Sequence, residues 1–145
     1  MAETTETQLD VEHLFSMTAS IHDGTAVIKG GPSGTRFIAH VTGGTFSGPK
    51  LNGTILGPAG DWVIARKNRT IKLDVRLTLR TDDGEHILVT YTGIGVPDAD
   101  GAMQIRTAPL FETGAEKYAW LNDVQAVGIG VSTGDSVTYE VYALR

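Results

Sequence analysis

The sequence predicts an all-β fold: a single antiparallel β-barrel of about eight to ten strands, with a β-sandwich as the alternative. Three observations lead there. Apolar and polar residues alternate with period two over most of the chain, and turn signals built on glycine separate the alternating runs. No long stretch carries the 3.6-residue period of an amphipathic helix. A meandering antiparallel sheet of this size closes on itself because closure removes the exposed edges.

The elements follow in order. Residues 1–8 are polar and read as a disordered lead-in to one domain over 9–145. From Val11, the residues His13, Phe15, Met17, Ala19 and Ile21 share one face of a strand. Gly30-Gly31-Pro32-Ser33-Gly34 is a turn, and Arg36 to Thr42 forms the next strand. Gly43-Gly44 is expected to break it before an extended run from Thr45 to Leu56. Gly57-Pro58-Ala59-Gly60 reads as a turn into Asp61–Arg66. Thr70–Arg80 alternates most cleanly, with Ile71, Leu73, Val75, Leu77 and Leu79 opposite Lys72, Asp74, Arg76, Thr78 and Arg80.

Asp82-Asp83-Gly84 supplies the positive φ of a tight hairpin, so Glu85–Gly93 returns antiparallel. Asp98-Ala99-Asp100-Gly101 turns the chain into Ala102–Ala108. The last two strands, Val124–Val131 and Ser136–Leu144, pair across Thr133-Gly134-Asp135. Between them and the rest lies an atypical segment, TAPLFETGAEKYAWLN (107–122), with a short helical stretch at 115–121. It is expected either to cross a barrel mouth as part of a site or to plug the barrel end.

Composition removes several classes of function. The chain has 145 residues, no cysteine and a formal charge of −5. Disulfides, thiol catalysis and thiolate metal sites are therefore excluded. A mildly acidic chain whose basic residues are scattered, apart from Arg66, Lys67 and Arg69 flanking a turn, has no footprint for nucleic acid. There is no secretory signal and no apolar run of roughly 20 residues, so no membrane partner and a cytoplasmic location are expected. His13, His22, His40 and His86 fall in separate segments, and no metal is expected. Gly93-Ile94-Gly95 and Gly128-Ile129-Gly130 do not open a helix after a strand, so they are not a dinucleotide loop.

The charged face of Thr70–Arg80 has two readings, a solvated exterior or the polar lining of a ligand-holding barrel. In the second, Asp74 and Arg76 point inward. The apolar face Leu73–Leu79 then faces outward, under a partner subunit or the barrel's own terminal strands. Asp61-Trp62 has a similar pair of readings, turn cap and core plug or carboxylate and ring wall of a site.

The motifs, in order, are Glu12-His13-Leu14-Phe15, Thr42-Gly43-Gly44-Thr45-Phe46-Ser47-Gly48-Pro49, Asp61-Trp62 and Leu73-Asp74-Val75-Arg76. After them come Leu79-Arg80-Thr81-Asp82-Asp83-Gly84, Arg106-Thr107-Ala108-Pro109, Phe111-Glu112-Thr113-Gly114 and Tyr118-Ala119-Trp120-Leu121-Asn122. The series resembles the DUF3237 (UPF0311) family across residues 10–145. That resemblance implies an antiparallel barrel and little about chemistry. It also draws the interior-site reading onto the charged and aromatic motif residues. Val89-Thr90-Tyr91-Thr92-Gly93 departs from the family pattern in lacking an arginine before the glycine.

The functional expectation is a cofactor-independent enzyme of isomerase, cyclase or lyase type. It would act by acid–base chemistry on a small oxygenated carbonyl compound or phenol held in the barrel. The candidate catalytic residues are Asp74 or Asp61 as base, Arg76 as an oxyanion holder and Tyr91 as acid. Trp62, Arg106, Phe111, Tyr118, Trp120 and Asn122 are the candidate substrate-binding residues. The alternatives are a lipocalin-like carrier without turnover and a structural homo-oligomeric module; a homodimer or higher homo-oligomer is expected in any case.

Overall fold

The computed structural model describes residues 5–145, and at 23–26 the backbone alone. The lead-in expected over 1–8 therefore lies partly outside the described residues; residues 5–10 are exposed and outside any strand. The strands are β1 (Val11–Gly31), β2 (Gly34–Ser47), β3 (Asn52–Ala65), β4 (Ile71–Thr81), β5 (His86–Pro97), β6 (Met103–Thr107), β7 (Leu110–Glu112), β8 (Ala126–Ser132) and β9 (Ser136–Leu144). They pair in the order β4-β3-β2-β1-β9-β8-β6-β5-β7, and a β4–β5 ladder joins the two sides. Eight strands thus close an antiparallel barrel, with β7 continuing the β6 side of β5 beyond the break at Pro109.

The ladders fix how wide this barrel is. One row of cross-strand partners runs Ile28, Arg36, Ile64, Lys72, Ile94, Arg106, Ile129 and Glu140, and arrives back on β1 at Ser16. The return point lies twelve residues from the start on the same strand. A stagger larger than the strand number tilts the strands to about 45° and opens the bore relative to a less staggered barrel of eight strands. The bore is wide enough for side chains at one end and a cavity at the other.

Two expected breaks are not breaks. Gly43 and Gly44 lie within β2, where Gly44 packs so closely on β1 that a Cβ would stand 2.1 Å from the Thr18 carbonyl oxygen. Gly57-Pro58, a cis peptide, lies within β3. There the register with β4 slips by two residues between Leu56 and Gly60. The slip is a bulge rather than a turn, and an even number of extra residues leaves the facing of β3 unchanged. The actual β2–β3 connection is the tight segment between Ser47 and Asn52.

The strand faces are the reverse of the ligand-barrel reading. Leu73, Val75, Leu77 and Leu79 are 3, 2, 1 and 0% exposed and lie in the core, whereas Asp74 and Arg76 are exposed on the outer wall. The expectation that Asp74 and Arg76 point inward is corrected, and with it the apolar exterior that a partner was to cover. The cause is the hydrophobic effect at full strength. Burying four aliphatic side chains is worth about 1.5–3 kcal/mol each, whereas burying two charges costs several each.

The lower half of the bore is filled. Phe15 packs edge-on to Phe46 and Phe111, with ring centres 5.6 and 6.1 Å apart, among Leu51, Leu77, Leu79, Ile87 and Leu121. Segment 107–122 closes this end. Its helical stretch is a 3₁₀ helix at Glu116–Asp123, of which Tyr118 and Leu121 are buried. Tyr118 Oη and Lys117 Nζ donate to the two oxygens of Asp83, at 2.9 and 2.8 Å, tying the segment to the β4–β5 turn. Those donors, Lys117 foremost and then Thr81 and Tyr118, hold the Asp83 carboxyl well below the usual range. Asn122 caps the segment itself, accepting from the Thr113 N–H at 2.8 Å and donating to the Thr113 carbonyl at 3.0 Å.

Candidate active site in the open end of the barrel

The other end carries the β1–β2, β3–β4, β5–β6 and β8–β9 turns, and there the bore is open. A cavity of about 220 Å³ descends between Ile21, Phe37, Val63, Ile71, Met103 and Val137. Most of its lining is aliphatic. The polar exceptions among side chains are Asp61, Tyr91, Tyr139 and Ser132.

Asp61 reaches this position through strand parity. On β3 the inward positions are Ala59, Asp61 and Val63, at 8, 8 and 3% exposure, while Trp62 between them faces out at 39%. The edge atoms of the Trp62 ring come within 3.3 Å of where a Cβ on Gly60 would stand. One oxygen of Asp61 accepts the backbone N–H of Asp74 at 2.9 Å. Burial raises its pKa to about 6; the Asp74 N–H pulls it down and the Asp74 charge pushes it up, both more weakly.

Tyr91 on β5 and Tyr139 on β9 stand across the bore from each other. Their ring centres are 5.6 Å apart with planes at 71°, an edge-to-face pair. They are 7 and 4% exposed. Both phenols are held protonated well above their ordinary range. For Tyr91 the causes are burial, then the charge of Tyr139 and a hydrogen-bonding interaction with it, then Asp61. For Tyr139 burial raises the pKa, the interaction with Tyr91 lowers it and Asp61 raises it. Room for Tyr139 comes from Gly130, its partner on β8, where a Cβ would lie 2.5 Å from the ring. Gly128-Ile129-Gly130 thus serves as two bare inward positions flanking an outward isoleucine, not as a phosphate loop.

The residues singled out from sequence divide sharply. Asp61 and Tyr91 meet in the cavity. Asp74, Arg76, Arg106 and Trp62 are exposed on the outer wall, where Arg106 Nη1 donates to the Ile105 carbonyl at 2.9 Å. Phe111, Tyr118, Trp120 and Asn122 belong to the closed end, remote from the cavity; Lys50 sits over the Trp120 ring at 5.1 Å. The segment that looked like a site wall is the plug. Tyr139 and Ser132 were not singled out. The signal for Tyr139 was present in the alternation of β9, where it shares the inward face with Val137, Val141 and Ala143 and is the one member with a polar tip.

A buried carboxylate that still titrates near neutrality can take a proton. Two phenols that stay protonated can donate hydrogen bonds to an oxyanion. The arrangement supports proton abstraction and return without an electron acceptor.

The fold has close counterparts. A crystal structure of a β-barrel-like protein from Acinetobacter baumannii superposes with a TM-score of 0.85 at 28% identity, covering 99% of this chain and all of the other. A UPF0311 protein of Rhodopseudomonas palustris is 31% identical over 92% of this chain and 95% of its own length. Its crystal structure, of a conserved protein of unknown function, matches with a TM-score of 0.87 over 97% of this chain. A hydroalkoxylation enzyme of Penicillium herquei is 35% identical over 82% of this chain and 72% of its own length. A crystal structure of an enzyme from the same fungus gives a TM-score of 0.68 at 27% identity over 99% of this chain. The profile of the family described as "Protein of unknown function (DUF3237)" matches residues 9–144, and the chain belongs to that family.

Proposed function

We propose that this protein is a cofactor-independent acid–base enzyme of isomerase, cyclase or lyase type, with its site in the open end of the barrel. The observation that carries the reading is Asp61, a carboxylate with a pKa near 6 in an aliphatic cavity, facing two phenols that remain protonated. Asp61 is the base. Tyr91 and Tyr139 hold the oxygen on which charge develops. An apolar cavity of roughly 150 Å³ takes benzene, so this cavity suits a substituted ring or a small bicyclic molecule with a carbonyl or phenolic oxygen.

The similarity to a hydroalkoxylation enzyme supports this chemistry. Hydroalkoxylation adds an alcohol O–H across a carbon–carbon double bond. The oxygen gives up its proton, a C–O bond forms, and the far carbon gains a proton; no electrons enter or leave. A base that returns the proton it took, beside donors for an oxyanion, is enough machinery for the addition or its reverse.

The test is incubation in D2O with small hydroxyl-bearing alkenes and enolisable ketones, followed by NMR. The reading expects deuterium at carbon with the wild-type protein and none with Asp61→Asn. A second reading is a lipocalin-like carrier, favoured by the aliphatic lining and by the wide bore of a strongly staggered eight-stranded barrel. It predicts binding of the same compounds with neither exchange nor product.

A further inference from the structure

The outer wall beside the cavity mouth carries a patch that the acid–base reading does not use. Where β1 to β4 reach the open end, the cross-strand row reads Ile28, Arg36, Ile64 and Lys72, aliphatic and cationic by turns. Lys29 lies beside it on β1, and Arg66, Lys67 and Arg69 stand in the β3–β4 turn. Ile28, in this row, is 58% exposed; Val27, 53% exposed, stands on the opposite face of β1 at the rim, paired with Phe37, which lines the mouth.

The charge is concentrated. The chain has 12 basic and 17 acidic residues. Six of the basic ones lie in this quarter, leaving six to face the acids elsewhere. None of the six enters the ion pairs found among the described residues, which use His13, Lys50, Lys117 and Arg145. Arg36 donates to the Trp62 carbonyl and Arg66 to Thr70 Oγ1, so both are anchored with their charge unneutralised. Asp74 is the acid on the neighbouring stretch of β4.

We infer that this quarter of the barrel docks on an anionic bilayer surface, so that the mouth takes up or releases its apolar ligand there. Exposed aliphatic side chains set among cations that form no ion pair among the described residues match an interface of acyl chains beneath negative headgroups. A free anion would need the cations alone; Val27 and Ile28 have no role in binding one. That no helix among the described residues is long and apolar enough to cross a membrane concerns crossing one, not lying against one. The inference holds whether the cavity turns its ligand over or only carries it.

The experiment is co-sedimentation of the full-length protein with phosphatidylcholine vesicles, with and without phosphatidylglycerol. The expected result is partitioning onto the anionic vesicles alone at low salt and release at about 0.5 M salt, where screening is nearly complete. Each surface lysine contributes about fivefold to such partitioning. Lys29→Gln, Lys67→Gln and Lys72→Gln together then weaken it by about 100-fold. Ile28→Ser, which keeps every charge, weakens it severalfold. Circular dichroism and melting curves confirm that the variants are folded. Three outcomes overturn the inference. They are failure of the wild type to bind anionic vesicles, binding that survives loss of the three lysines, and thermal protection by inorganic phosphate without vesicle binding. The last would assign the patch to a small anion.

Discussion

Asp61→Asn separates a catalytic carboxylate from a structural one, because the two roles predict opposite changes in stability. The carboxyl titrates near 6 in the folded protein against an ordinary value of 3.8. A raised carboxylate pKa means that between these two values the folded state binds more proton than the unfolded state. Stability is therefore greatest below the unfolded pKa and falls as pH rises from about 4 to 6. The difference of roughly two units corresponds to about 3 kcal/mol of stability missing at pH 7. Asparagine imitates the neutral carboxyl in size, and its oxygen can still accept the Asp74 N–H. The variant should recover about 2–3 kcal/mol at pH 7.5, a rise of about 5–10 °C in melting temperature for a chain of this length. It should also lose the decline in stability between pH 4 and 6. Turnover should fall by roughly 10²–10⁴, the range of a general base. Melting curves at pH 4, 5, 6 and 7.5, with a turnover assay on one purified variant, read all three. A variant that is less stable than wild type at pH 7.5, or one that keeps full turnover, refutes the reasoning. The first result would mean that the negative charge is held by a partner, and the second that the base lies elsewhere.

Other expectations follow from the same geometry. Below pH 6 the protonated Asp61 cannot accept a proton, so the rate should rise with pH through about 6 and then level. A rate–pH profile flat from pH 5 to 8 contradicts this assignment. Tyr139→Phe and Tyr91→Phe should each keep the fold within about 1–2 kcal/mol, since burial dominates for these rings, and should lower turnover by roughly tenfold or more as oxyanion donors are lost. Gly130→Ala places a methyl 2.5 Å from the Tyr139 ring, so it should destabilise the protein by about 1–3 kcal/mol in urea and weaken ligand binding together. Asp74→Asn, on the outer wall, should stay within about 0.5 kcal/mol of wild type and keep its turnover. A large loss there would return Asp74 to the site.

By itself the sequence determined what depends on local pattern. Period two in runs such as Ile71–Leu79, with Asp-Gly turns between runs, is enough for an antiparallel all-β domain and favours a barrel over a sandwich, because a sheet with many hairpins removes its edges by closing; the β4–β5 ladder decides for the barrel. It also separated the two faces of β4 correctly, but it could not say which face was inside. That depends on what the opposite strands present, and only the assembled bore shows the aliphatic sides of β1, β4, β5 and β9 meeting. Glycines misled where they mark close packing rather than turns: Gly44 lies against β1, and Gly57 belongs to a bulge whose register is visible only with β4 in place. Chemistry was legible at Asp61 and Tyr91 as residue types. That the Asp61 carboxyl has a raised pKa follows from its being taken out of water, and that Tyr139 stands opposite Tyr91 follows from the stagger of the closed ring. The aromatic segment 107–122 looked like a site because aromatic and polar groups crowd there. Packing made it the plug, since Phe111, Tyr118 and Leu121 fill the end of the bore that the strands leave open.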